Sequence, residues 1–189
     1  MSASIPAKPG PLRIVAVVGN PRAGSRTLGV AQAVAGGIAA WADRRGLAAT
    51  TRVADLAELG PALLDWEDPA VADLVADVLA CDVLVVASPT YKAAFTGLLK
   101  LFLDRIGADA LARVVTVPVM VAGAPIHQLA LEGHLRPVLM ELGAACPTPG
   151  LFVLESELDD LDGVVDRWLD RSTWGLTLAL VAPPPGVAG

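Results

Sequence analysis

The chain has 189 residues, a length that suits one domain with a full hydrophobic core. A net charge of −6 argues against nucleic acid as its main partner, because gripping phosphate backbones requires a basic face. No apolar stretch approaches the ~20 residues that cross a bilayer, and residues 1–11 hold no hydrophobic signal core, so a soluble cytoplasmic protein is expected.

Residues 1–11 and the proline-rich 183–189 read as flexible termini around one domain at 12–182. The first strand is the apolar run 12–18, and an alanine-rich helix follows at about 26–44. Between them stands Gly19-Asn20-Pro21-Arg22-Ala23-Gly24-Ser25-Arg26-Thr27. A strand, a small polar turn and a helix N-terminus together suit a phosphate: backbone N–H groups are free and the helix dipole favours negative charge. Ser25 and Thr27 add hydroxyls, while Arg22 and Arg26 add guanidinium groups able to give paired hydrogen bonds.

Two familiar phosphate loops do not fit this run. A Walker loop puts Lys and then Ser or Thr directly after its second glycine, but Ser25 and Arg26 follow Gly24. A dinucleotide loop needs a second glycine two residues after the first, where this chain has Pro21. What remains is a loop for one terminal phosphate, built from Asn20, Arg22, Ser25 and Thr27. An ordinary turn with Ser25 as N-cap accounts for the same residues.

Further along, 50–54 reads as a strand and 69–79 as a helix whose Val71, Leu74, Val75 and Val78 share one stripe. Asp68 is its N-cap and Pro69 its first residue. The continuous apolar run 83–87 suits a central parallel strand covered on both faces. A helix is expected at 93–106, a strand at 114–122, a helix at 128–142, a strand at 151–154 and a closing helix at 161–180. Strands alternating with helices make an α/β protein: a flavodoxin-like, doubly wound, five-stranded parallel sheet in the order 2-1-3-4-5.

In such a sheet the ligand sits beyond the C-terminal ends of strands one, three and four. Each of these opens into loop chemistry: Gly19 to Thr27, then Ser88-Pro89-Thr90-Tyr91-Lys92, then Gly123-Ala124-Pro125-Ile126-His127. Tyr91, the only tyrosine, either contacts a ligand or packs over a helix start. Cys81 and Cys146 follow no metal spacing, and with two histidines a His-rich metal centre is not expected.

The run from Gly19 to Thr27 resembles the Gly-(Ser/Asn)-Pro-Arg-x-x-Ser-x-(Ser/Thr) loop of the NAD(P)H-dependent FMN reductases. Pro89-Thr90-Tyr91-Lys92-Ala93-Ala94-Phe95-Thr96-Gly97-Leu98-Leu99-Lys100 is similar to that family's second signature. The stretch Tyr-Lys-Ala-Ala-Phe-Thr-Gly, with a Leu-Arg-Pro-Val-Leu at 135–139, is most similar in look to the members that serve two-component sulfonate monooxygenases.

The resemblance implies that Asn20, Arg22, Ser25, Arg26 and Thr27 hold the FMN phosphate. It implies that Pro89, Thr90, Tyr91 and Lys92 pass along the ribityl chain and ring, with Gly123 and Ala124 at the ring's polar edge. One departure is Gly123-Ala124-Pro125, where the family often has two glycines. His127 and His134 inherit no role. The implied activity is hydride transfer from NADPH or NADH to FMN, with reduced flavin passed to a flavin-dependent monooxygenase.

The flavin carries that chemistry, so no catalytic side chain is named. A homodimer or homotetramer is expected, with excess apolar surface on the 93–106 helix, Phe95 and Phe102 included, meeting either a second subunit or the core. A quinone, chromate or azo reductase on the same fold, or a flavodoxin-like electron carrier, remains an alternative. Arg22 and Arg26 count against the carrier, whose phosphate loop is rich in Ser and Thr rather than arginine.

Overall fold

Five short segments, four of them apolar runs, form five parallel strands in the computed structural model, which describes residues 10–181. They are β1 (Leu12–Val18), β2 (Ala49–Asp55), β3 (Val83–Pro89), β4 (Val115–Ala122) and β5 (Leu151–Leu154). Their order is β2-β1-β3-β4-β5, so strand order reverses beside β1. The expected flexible termini lie outside the described residues, apart from Gly10 and Pro11.

Among the described residues five α-helices connect the strands, α1 (Arg26–Asp43), α2 (Leu56–Leu59), α3 (Pro69–Ala80), α4 (Gly97–Leu103) and α5 (Arg136–Glu141), and α6 (Leu161–Leu180) follows the last strand. Among the described residues, no helix is long and apolar enough to cross a membrane.

Side-chain alternation along the strands decides the layers. Ile14, Ala16 and Val18 join Val83, Val85 and Ala87 in a core that also contains Val34, Ile38, Trp168 and Leu169 from α1 and α6. Val15 and Val17 join Leu84 and Val86 on the other face, with Leu74, Leu99, Phe102 and Leu139 from α3, α4 and α5. Every residue of β3 and β4 is buried, as a strand covered on both sides requires. Asp68 caps α3 by accepting from the N–H groups of Ala70 and Val71 at 2.9 and 3.1 Å, with Pro69 in the first position.

The structure corrects two expectations. The helix expected from residue 93 begins only at Gly97, because Lys92 and Ala93 take left-handed φ values of 51° and 61°. Tyr91 and Ala94 exchange two backbone hydrogen bonds, of 2.9 and 3.1 Å, across these residues, making a tight two-residue turn. Thr96 then caps α4, accepting from Leu99 N–H at 3.1 Å.

The helix expected at 128–142 is also not continuous. A 3-10 turn at Pro125–His127 precedes a π-helical turn at Leu131–Leu135, and regular α-helix resumes only at Arg136. Pro137 has no N–H to give and its ring crowds the carbonyl four residues back, so the widened turn just before it accommodates the proline.

Phe102, considered above for a subunit contact, is 1% exposed and belongs to the protomer's own core.

Candidate flavin-binding site

The ends of β1, β3 and β4 converge on one cavity of about 290 Å³. Its first wall is the turn between β1 and α1. Asn20 shapes this turn: its Oδ1 accepts from Arg22 N–H at 3.0 Å, and its Nδ2 donates to Thr27 Oγ1 at 3.1 Å. Thr27 therefore accepts through its oxygen and keeps its own proton for another acceptor. Gly24 turns the chain at φ +63°, and its N–H is held at 3.1 Å by Asp55 Oδ2 at the end of β2. Ser25 caps α1 by accepting from Leu28 N–H at 3.3 Å. The first helical N–H groups therefore point out of the N-terminus, where an anion is favoured.

The second wall is the segment after β3. Thr90 N–H donates to Val121 O at 2.7 Å, joining this loop to β4. Thr96 Oγ1 donates to Gly19 O, and Gly19 N–H donates to Ala87 O at 2.8 Å, joining it to the first loop. Ser88 Oγ accepts from Thr96 N–H at 3.1 Å, which orients the start of α4.

Gly19 serves this packing rather than ligand approach: a Cβ there would lie 2.3 Å from Leu99 Cβ. Thr90 Oγ1 is buried with no hydrogen-bond partner, although Thr90 lines the cavity. Leaving a buried hydroxyl unsatisfied costs ~1–3 kcal/mol, so this atom fits a polar ligand atom.

Of the residues proposed from sequence, Asn20, Arg22, Ser25, Arg26, Thr27, Pro89, Thr90, Tyr91 and Gly123 line the cavity. Lys92 and Ala124 adjoin these lining residues without lining it themselves. Tyr91 is 52% exposed, which excludes the packed alternative.

Sequence reasoning missed Val121 and Ala122, which form the floor where β4 ends, and Glu155, which follows β5. Glu155 Oε1 accepts from Arg26 Nη2 at 2.9 Å. It also missed Asp55, which fixes the turn from outside the cavity. Burial pushes the Cys146 thiol up from its ordinary range. No cluster of three or more metal-ligating side chains occurs among the described residues.

A doubly wound sheet with an anion-binding turn at its topological switch point and an orphaned hydroxyl in the cavity there defines a flavodoxin-like nucleotide-binding protein. Within that class, the family model for NADPH-dependent FMN reductases matches residues 12–159. The chain belongs to that family and is an NAD(P)H:FMN oxidoreductase, with FMN and a nicotinamide nucleotide as its cofactors.

Solved structures agree. An NADH:FMN oxidoreductase in its apo form is 31% identical over 83% of this chain and 88% of its own, with a TM-score of 0.72. An oxidoreductase from Corynebacterium diphtheriae is 28% identical over 93% and 100%, with a TM-score of 0.79. A Streptococcus pneumoniae flavodoxin, 14% identical over 84% and 98% with a TM-score of 0.51, shares the fold alone. No curated protein matches.

Proposed function

We propose that the cavity holds FMN with its phosphate on the β1–α1 turn and its ring between the second and third loops. The carrying observation is the convergence of Arg22, Arg26, Ser25 and Thr27 with the α1 N-terminus at one end of a single cavity. Arg22 and Arg26 supply charge-assisted hydrogen bonds, and the hydroxyls of Ser25 and Thr27 complete the cradle. Asn20 keeps the turn in shape.

Thr90 offers its buried hydroxyl to the ribityl chain, while Pro89 and Tyr91 flank the ring and Lys92 holds the turn beneath it. Gly123 and Ala124 present backbone N–H groups to the ring's polar edge, where they favour negative charge. When bound there, the flavin supplies the hydride acceptor and the nicotinamide nucleotide the hydride. The chain binds and orients the two; no side-chain acid or base is required.

The same reading makes residues 12–182 one FMN-binding domain in a cytoplasmic homodimer or homotetramer, delivering reduced flavin to a partner monooxygenase. Family membership supports the flavin chemistry, and the likeness of residues 91–97 and 135–139 to the sulfonate-system members supports the partner. The test is steady-state oxidation of NADH and NADPH by purified protein with FMN in large excess. Many turnovers per protein are expected. A single reduction per bound flavin would indicate a carrier, and faster turnover with quinones or azo dyes would replace the free-flavin reading.

A further inference from the structure

We propose that Glu155 competes with the flavin phosphate for Arg26 and thereby keeps FMN exchangeable, as a flavin substrate must be. The inference rests on the phosphate assignment above. Glu155 opens the 3-10 turn Glu155–Asp160 directly after β5, beside the strand whose end forms the cavity floor. It lines the cavity together with Arg22 and Arg26, and its Oε1 takes the Arg26 Nη2 at 2.9 Å.

The two side chains are 66% and 44% exposed, so their pairing is screened and contributes little to the fold. A carboxylate so placed has a different consequence. An arginine in a phosphate cradle normally offers both arms of its fork to the anion, whereas one arm of Arg26 is already engaged. An incoming phosphate must share Arg26 with that carboxylate or displace it, and in either case lies near its charge. Like charges at such distances disfavour each other, so the cradle binds phosphate more weakly than its arginine content implies.

The penalty falls on FMN and not on riboflavin, which has the same ring and ribityl chain but no phosphate. Glu155→Gln keeps an oxygen that can accept from Arg26 while removing the negative charge. Flavin fluorescence titrations of FMN and riboflavin against wild type, E155Q, R26A and the double variant test the inference. E155Q is expected to tighten FMN by about three- to tenfold and leave riboflavin unchanged. R26A is expected to lose more FMN affinity in the E155Q background than in wild type, because in wild type Arg26 divides its charge between the phosphate and the Glu155 carboxylate.

Unchanged or weaker FMN binding by E155Q, or equal tightening of riboflavin, would overturn the inference while leaving the phosphate assignment standing. A wild-type protein that binds riboflavin as tightly as FMN would overturn the assignment and the inference with it.

Discussion

Single residues in the first loop carry separable tasks. Asn20 and Ser25 are engaged within the loop, to Arg22, Thr27 and Leu28, so replacing them disturbs the turn as well as any ligand. Arg22 is exposed and its side chain lines the cavity, which makes it the cleaner probe. A charge-assisted hydrogen bond is worth ~1.5–3 kcal/mol, or about one to two decades of affinity. Arg22→Ala is expected to weaken FMN by that amount in a fluorescence titration and to leave riboflavin nearly unchanged. Equal loss for both flavins would remove Arg22 from the phosphate.

At this scale the cavity-facing residues of the first loop were legible in sequence, because Asn20 to Thr27 form one contiguous run whose residue types match an anion site. Asp55 and Glu155 were not. They reach the loop from 31 residues beyond Gly24 and 129 beyond Arg26, and only the parallel pairing of β1 with β2 and of β4 with β5 brings those strand ends to it.

Elements were legible wherever periodicity and caps agreed, as in α3, and illegible where the backbone departs from regular geometry. The turn at Lys92 and Ala93 is such a place. Both central residues of a two-residue turn with positive φ are normally Gly, Asn or Asp, and neither is here, so the apolar run after it read as helix throughout. An alanine in the left-handed region costs ~1–2 kcal/mol, offset in part by the extra freedom a glycine has when unfolded. Ala93→Gly is therefore expected to raise stability by ~0.5–1 kcal/mol in urea unfolding, since Ala93 is exposed and loses no packing.

The π-helical turn before Arg136 was equally hidden, and it lies next to a second feature with a testable pH signature. Arg136 Nε donates to Glu132 Oε2 at 2.5 Å and Nη2 to Oε1 at 3.1 Å. Arg136 Nη1 also donates to Cys146 O at 3.3 Å, and Nη2 to Thr148 O at 3.1 Å. The pair thus fastens this helix to the segment leading into β5. The hydrogen bond from Arg136 is the main reason the Glu132 carboxyl sits below its ordinary 4.5, although burial opposes it.

A carboxyl lowered by folding stabilises above its unfolded pKa, and that contribution fades as pH falls through and below 4.5. Half exposure of Glu132 screens the interaction, so Glu132→Gln is expected to cost no more than ~1 kcal/mol at pH 7. The difference from wild type should shrink as pH falls below 4.5. A gap between the two urea curves that is constant with pH would show that the carboxylate charge is not what fastens the helix.

For the whole molecule, the strand order and the placement of the cavity followed from sequence because four of the five strands are short apolar runs and all are separated by turn signals. In such a sheet a ligand sits beyond the strand ends where the order reverses, which left one position for it. Assembly did not follow in the same way. An amphipathic helix with two phenylalanines and several leucines has more apolar surface than one face normally buries, and sequence does not say whether a second subunit or the same chain covers it.

The structure answers for Phe102. It lies 1% exposed among Val17, Leu84, Val86 and Leu99, on the sheet face that α3, α4 and α5 cover. Truncating a buried phenylalanine leaves a cavity and costs ~3–5 kcal/mol. Phe102→Ala is therefore expected to lower the urea midpoint sharply at neutral pH while leaving the molecular mass by light scattering equal to that of wild type. A residue at a subunit contact would behave oppositely, shifting the mass to a smaller species at nearly unchanged protomer stability. Such a shift would mean that the sheet face beneath α4 is completed by another copy rather than by this chain.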